Sequence, residues 1–236
     1  MGDGAWRGEI GSFSLTQDLF LEQKQEITIL FMDLNGFTAF AESSEPDQVT
    51  QQLNLYFDEM TKLIVKFGGT LDKYLGDGIM ALFGAPRKVF NHAERAVECA
   101  LAMQERMRHI NTTWVRNNLE SLSASIGINT GEAMVGTVGC NQFMDFTAIG
   151  DSVNVASRLS DQARNGSILI GDTTWQSMQE VLVYKKMATV KLKGKKLLAL
   201  NEVRRMLSES LKPTHTKLRA LQVGFSGSNV QSGLYL

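Results

Sequence analysis

Cysteine is scarce, with Cys99 and Cys140 the only two. They form no metal-ligand spacing, and isolated thiols suit a reducing compartment, so neither a disulfide framework nor a thiolate metal centre is expected. His92, His109 and His215 are scattered along the chain, which argues against a zinc site. No apolar run approaches the roughly 20 residues that cross a bilayer. The opening Met1-Gly2-Asp3-Gly4-Ala5-Trp6 lacks the charged and apolar regions of a signal peptide. A preponderance of one charge is also missing. A formal net charge of −1 gives no global basic field for nucleic acid, and leaves room only for a local basic pocket around one polyphosphate. These absences point to a cytoplasmic, disulfide-free protein, or the cytoplasmic part of a larger one.

What remains is ordinary globular material: 236 residues, 43% hydrophobic and 21% charged, enough for one large domain with extensions. Residues 1–22 are glycine-rich and then mixed, and read as a leader or linker stub. Dense patterning runs from there to about 205. Beyond it the pattern fades, and 206–236 reads as a poorly ordered tail. No internal repeat is visible. Within 23–205, Ile27 to Met32 is a short apolar, β-branched run predicting a buried strand. Ser44-Glu45-Pro46-Asp47 predicts a helix start with a serine cap, and Val49, Leu53, Phe57, Met60, Ile64 and Phe67 continue it at helical spacing. Thr70 to Phe83 predicts a hairpin turning at Gly76-Asp77-Gly78. A helix is expected from about Asn91 to His109. Ala124, Ile126 and Ile128, alternating with Ser123, Ser125 and Gly127, predict a half-buried strand. Glu132–Val138 and Phe143–Ile149 are expected strands, Val153–Asn165 a helix, Ser167–Ile170 a strand and Thr173–Val181 a short helix. Two last strands are expected near Thr189–Leu192 and Leu197–Val203. Strands and helices alternating with hairpins predict an α+β fold, a mixed sheet with helices on one face.

Two carboxylates carry the chemistry of this pattern. Asp33 ends the first apolar run, and Asp77 occupies the hairpin turn, each with glycine close by (Gly36; Gly76 and Gly78). Glycine lets backbone approach a ligand closely. Two acids on neighbouring strand ends are what a pair of hard cations requires, and Mg²⁺ or Mn²⁺ so held drives phosphoryl and nucleotidyl transfer. Taken singly, each acid is more often an ordinary turn residue. Asn154 and Arg158, four apart on a helix, are more often a solvated pair, and Lys193 to Lys196 an exposed hairpin edge.

Order and co-occurrence change that weighting. Phe31-Met32-Asp33-Leu34-Asn35-Gly36-Phe37-Thr38 resembles the first signature of the class III nucleotidyl cyclase catalytic domain, and Lys73-Tyr74-Leu75-Gly76-Asp77-Gly78-Ile79-Met80-Ala81 the second. Asp145-Phe146-Thr147-Ala148-Ile149-Gly150-Asp151-Ser152-Val153-Asn154-Val155-Ala156-Ser157-Arg158 resembles a third, long and specific. Leu192-Lys193-Gly194-Lys195 sits where that family has its late lysine. The resemblance implies a ferredoxin-like, palm-type sheet with a smaller C-terminal αβ subregion, and a homodimer with active sites at the subunit interface. It implies that Asp33 and Asp77, helped by the backbone carbonyl of Leu34, bind two divalent cations, Mg²⁺ or Mn²⁺, per site. The amides of Gly36, Phe37 and Thr38 then cradle phosphates. The other subunit supplies Asn154 to orient the ribose, Arg158 for the α-phosphate and Lys193 for the triphosphate. Lys73 and Thr147 hold the base.

On that assignment the base-reading pair favours adenine. Adenine offers an acceptor at N1, which Lys73 complements, and a donor at N6, which the Thr147 hydroxyl or a neighbouring carbonyl complements; guanine reverses both edges. Guanylyl members typically carry glutamate where this chain has Lys73. The expected activity is therefore an adenylyl cyclase acting on ATP. Guanylyl cyclase, or a silent dimerisation or regulatory module of the same fold, is the alternative. Thr147 resembles the subgroup in which bicarbonate stimulation is known. Members commonly carry N-terminal sensor domains, of which residues 1–22 are read as a linker stub.

Overall fold

The computed structural model describes residues 22–140, 143–187, 190, 191, 197, 198 and 200–207. The first strand, β1 (Gln23–Asn35), is longer at both ends than its apolar run. A short helix that the sequence reading did not anticipate, α1 (Phe37–Ser43), follows the glycine at 36. The next, α2 (Pro46–Lys66), starts with proline at its first position, where a missing N–H costs nothing. Glu45 rather than Ser44 caps it, and no side chain bonds the cap. Ser44 instead closes α1, so the expected serine cap belongs to the wrong helix end.

The hairpin is β2 (Thr70–Leu75) and β3 (Gly78–Phe83), and α3 (His92–Arg116) follows it. The two strands expected around 124–138 are one long strand, β4 (Ser123–Cys140), which turns back into β5 (Phe143–Ile149). Then come α4 (Asp151–Gln162), β6 (Ile168–Ile170), α5 (Asp172–Met178), β7 (Leu182–Lys186), β8 (Val190–Lys191), β9 (Leu197–Leu198) and β10 (Asn201–Met206). Strand β7 has no counterpart in the sequence reading.

The sheet runs β2-β3-β1-β4-β6-β10-β7, with β5 on the outer part of β4, and β8 pairs β9 separately. Among the described strands only β4 and β6 run parallel, so the sheet is mixed as expected. Antiparallel pairing of β1 with β4 along its whole length, from Gln23↔Val135 to Asn35↔Ser123, makes these two strands the spine. Side-chain alternation along β1 builds two cores. Leu30, Met32 and Leu34 join α1, α2, α3 and α5 on one face. Ile27 and Ile29 join Met80, Leu82, Ala133, Val135, Ala148 and Ala156 on the other. Four helices thus share one face, and α4 lies on the second.

That placement of α4 corrects the reading of the strand around 124–128 as half-buried. Every described residue from Ala124 to Thr130 is buried. Position 127 is small because helix backbone lies on it, and Ser125 is buried with its hydroxyl donating to Asn35 Oδ1; neither faces water. A Cβ at Gly127 would lie 2.1 Å from the Ser160 amide nitrogen, 2.4 Å from the Ala156 carbonyl oxygen and 2.7 Å from the Leu159 carbonyl carbon. Backbone cannot rotate aside as a side chain can. Gly127→Ala is therefore expected to push α4 off the sheet and cost about 2–3 kcal/mol, an overpacking penalty. In a protein of this size that lowers the thermal midpoint by roughly 5–10 °C. A wild-type melting curve for Gly127→Ala would refute this packing.

Candidate active site

The two acids come together at one end of the sheet. Asp33 is the third-last residue of β1, and Asp77 sits in the two-residue turn between β2 and β3. The hairpin closes over β1 because position 78 has no side chain: a Cβ there would lie 3.3 Å from Asp33 Oδ1 and 3.2 Å from the Leu75 carbonyl. The Asp77 carboxyl accepts hydrogen bonds from its own backbone amide and from that of Leu34, which ties the turn to β1. Asn35 Oδ1 accepts from Ser123 Oγ at 3.0 Å and Ser125 Oγ at 2.8 Å, locking the end of β1 to β4.

The site is electrostatically uncompensated. The Asp33 carboxyl is pushed above its ordinary range, chiefly by desolvation from the protein packed behind it and further by the charges of Asp77 and Asp161. Burial also raises Asp77, outweighing the two amide hydrogen bonds that lower it. Their joint field reaches the core. Tyr56 of α2, fully buried, has its phenol raised well above the usual value, first by burial and then by Asp33 and Asp77. Its hydroxyl has no hydrogen-bond partner among the described residues. No described cationic side chain pairs with either acid.

An all-oxygen donor set carrying excess negative charge fits a hard divalent cation. The described residues hold no cluster of three or more His, Cys, Asp or Glu side chains suited to a metal. A cation here would therefore complete its shell with phosphate oxygens and water, the habit of Mg²⁺. A cleft of about 160 Å³ opens beside Asp33, lined also by Phe31, Leu75, Gly78, Ser157 and Asp161. Next to it, α1 starts at Gly36, whose φ of +79° is left-handed. No side chain caps this helix, and a Cβ at Gly36 would meet nothing within 4 Å. The amides of Gly36, Phe37 and Thr38 belong to this open first turn.

A second cluster lies on the α4 face. Thr147, buried on β5, donates its hydroxyl proton to Asp72 Oδ2 at 2.7 Å. Lys73 Nζ lies 3.4 Å from the other oxygen of the same carboxylate, whose side chain is completely buried. Lys73 and Thr147, singled out from sequence, are thus joined through a residue that the sequence reading passed over. Within a strand motif, an acid before a lysine reads as an ordinary polar pair, and only the fold brings β5 to it.

Asn154 and Arg158 sit one turn apart on α4. Among the described residues, neither side chain has a hydrogen-bond or ion-pair partner, and neither lines the cleft beside Asp33. Ser157 and Asp161 of the same helix face that cleft instead. The structure therefore brings together Asp33 with Asp77, and Lys73 with Thr147, and shows no contact of Asn154 or Arg158 with either pair among the described residues. Lys193 lies outside the described residues. Tyr56, Asp72 and Asp161 are the site neighbours that sequence reasoning missed, since no local spacing marks them.

Comparison with known proteins places this geometry. Residues 19–204 match the family model described as the adenylate and guanylate cyclase catalytic domain. Adenylate cyclase 1 of Rhizobium meliloti (strain 1021) is 34% identical over 174 residues, 73% of this chain and 26% of that protein. The chain thus spans about a quarter of that relative's length. Among solved structures, the adenylyl cyclase CyaB from P. aeruginosa superposes with a TM-score of 0.77 at 34% identity, covering 80% of this chain and 100% of that one. The guanylyl cyclase Cya2 gives 0.77 at 35% identity, covering 80% and 96%. No described helix is long and apolar enough to cross a membrane.

Proposed function

The chain belongs to the adenylate and guanylate cyclase catalytic domain family, the class III nucleotidyl cyclases, and we propose that it converts ATP to 3′,5′-cyclic AMP and pyrophosphate. The observation that carries the choice of ATP is the meeting of Lys73 and Thr147. Lys73 donates to adenine N1, and Thr147 accepts from the N6 amine. Guanine would present a donor to the lysine and leave it unpaired, at a cost of about 1–3 kcal/mol. The intact acid pair, with Asn154 and Arg158, speaks against a silent module. Relatives of both specificities stand close to this chain, so overall likeness does not separate ATP from GTP and the reading rests on the base-facing residues.

Each residue has a defined task in this reading. Asp33 and Asp77, with the Leu34 carbonyl, would hold the divalent cations, Mg²⁺ or Mn²⁺. Bound there, such cations neutralise the triphosphate and acidify the ribose 3′-hydroxyl, which makes a dedicated side-chain base dispensable. The amides at Gly36, Phe37 and Thr38 hold the β- and γ-phosphates. Asn154 fixes the ribose so that its 3′-oxygen lines up with the α-phosphorus and the leaving pyrophosphate. Arg158 spreads its permanent charge over the equatorial oxygens as negative charge builds there. Lys193 binds the triphosphate.

Two copies of the chain complete the site. The side chains of Asn154 and Arg158 have no hydrogen-bond or ion-pair partner among the described residues, and in this reading a second copy offers them to the acid pair. The arm formed by β4 and β5 exposes Met134 (41%), Val138 (41%), Met144 (51%) and Ile149 (54%), an apolar surface suited to that contact. An assay with Mn²⁺ and either nucleotide tests the reading directly. ATP is expected to be the preferred substrate, and Lys73→Glu to lower kcat/KM for ATP by roughly 10- to 100-fold while narrowing the gap to GTP. A wild-type preference for GTP, or an unchanged ATP rate in Lys73→Glu, overturns the assignment.

A further inference from the structure

A threonine hydroxyl is a poor discriminator by itself. It carries one proton and two lone pairs and can rotate to donate or accept, so Thr147 alone would serve the N6 amine of adenine or the O6 of guanine. In this fold its rotor is already committed. Thr147 Oγ1 donates to Asp72 Oδ2 at 2.7 Å, and a carboxylate has only acceptor capacity to offer. With its single proton spent on Asp72, Thr147 has only lone pairs left to turn toward a base. The other carboxylate oxygen, Oδ1, lies 3.4 Å from Lys73 Nζ and has no hydrogen-bond partner among the described residues. It thus holds the ammonium beside Thr147.

We propose that Asp72 is the specificity-setting positioning residue of this domain: it fixes Thr147 as a hydrogen-bond acceptor and Lys73 as a donor, so that the pair reads the adenine edge. The inference rests on the assignment of Lys73 and Thr147 to the base.

Backbone geometry places Asp72 for this task. Pairing between β2 and β3 runs Thr70↔Leu82 and Leu71↔Ala81, then resumes at Lys73↔Met80, so Asp72 is the extra residue of a β-bulge. In an unbroken strand, residues 72 and 73 would point to opposite faces. The bulge removes that alternation and re-aims the side chain. Lys73 and Asp72 thereby reach the same face, where β5 brings Thr147. Complete burial of the carboxylate keeps water from competing for Thr147.

The test compares ATP with inosine triphosphate, which differs from ATP only at N1 and C6 and so isolates the edge that Asp72 is said to control. Kinetics of the 236-residue chain with Mn²⁺ are measured for wild type, Asp72→Ala and Asp72→Asn. Alanine releases the Thr147 rotor. Asparagine goes further, because its carbonyl stays beside Lys73 and its amide nitrogen donates to Thr147, turning the hydroxyl proton toward the base. The ATP-to-ITP ratio of kcat/KM is expected to fall by roughly 10-fold in Asp72→Ala and by up to about 100-fold in Asp72→Asn, with KM for ATP rising more than kcat falls. A merely structural role lowers both substrates by one factor and leaves the ratio alone. In a Thr147→Val background the Asp72→Asn shift should largely vanish, since its intermediary is gone. A wild-type chain that prefers ITP or GTP overturns the ATP reading itself. An ATP-selective wild type whose ratio stays within about twofold in Asp72→Asn, or shifts equally without Thr147, overturns only the role of Asp72.

Discussion

Asp33→Asn and Asp77→Asn are each expected to cut cyclic nucleotide formation by at least about 1,000-fold, the loss that follows when a preorganised charge at the reacting phosphate disappears. Neither change should damage the fold. Both carboxyls are raised by burial, and Asp33 further by its acidic neighbours. A carboxyl raised in the folded state binds its proton more tightly there than in the unfolded chain, so its contribution falls as pH rises through that folded value. At neutral pH the ionised pair is therefore a burden, which an isosteric amide removes. Thermal midpoints of both variants should equal or exceed wild type in the absence of divalent cations. Added Mn²⁺ should raise the wild-type midpoint by binding the native state and leave the variants nearly unmoved. Near-normal turnover of either variant with Mn²⁺ would remove the two-metal assignment.

The acids were legible in sequence because their signal is local: an apolar run, an acid and a glycine turn, repeated twice. The strands that carry them, β1 and the β2–β3 hairpin, appear where the pattern puts them. What sequence could not reveal is whatever depends on a distant neighbour. Ser125 and Gly127 look like a solvated strand face, yet both are buried, and at Gly127 it is the backbone of α4 that covers the strand. Asn129-Thr130-Gly131 falls between the two strands expected from the pattern, yet β4 runs through it. The polar groups there are satisfied from elsewhere: Asn129 Nδ2 donates to the Ser152 carbonyl at 3.0 Å, and Thr130 Oγ1 contacts Thr28 and Thr174. Helix α1 escaped notice because it is short and has no capping side chain. Asp72 is the sharpest case. Its position in a bulge and its bond to β5 are tertiary facts, and its own neighbours Leu71 and Lys73 give no sign of them.

Mixing two dead variants is expected to restore activity. If Asp33 and Asp77 act from one chain while Asn154 and Arg158 act from the other, a homodimer holds two equivalent sites. Asp33→Asn alone spoils both, and so does Arg158→Ala. In a mixed dimer one site carries both lesions and the other carries neither. With random assortment half the dimers are mixed, and each has one good site of two, so activity should recover to about a quarter of wild type. The structure motivates this division: Ser157 and Asp161 of α4 face the cleft of their own chain, whereas Arg158 does not line it. An arrangement in which each chain used its own Arg158 makes the opposite forecast. Each mixed dimer would then hold two sites with one lesion apiece, and no activity would return. Dilution supplies a second reading, since a shared site loses rate faster than linearly once dimers dissociate. Absence of recovery in a sample whose heterodimers are demonstrated by differential tags would mean that the site is not shared in this way.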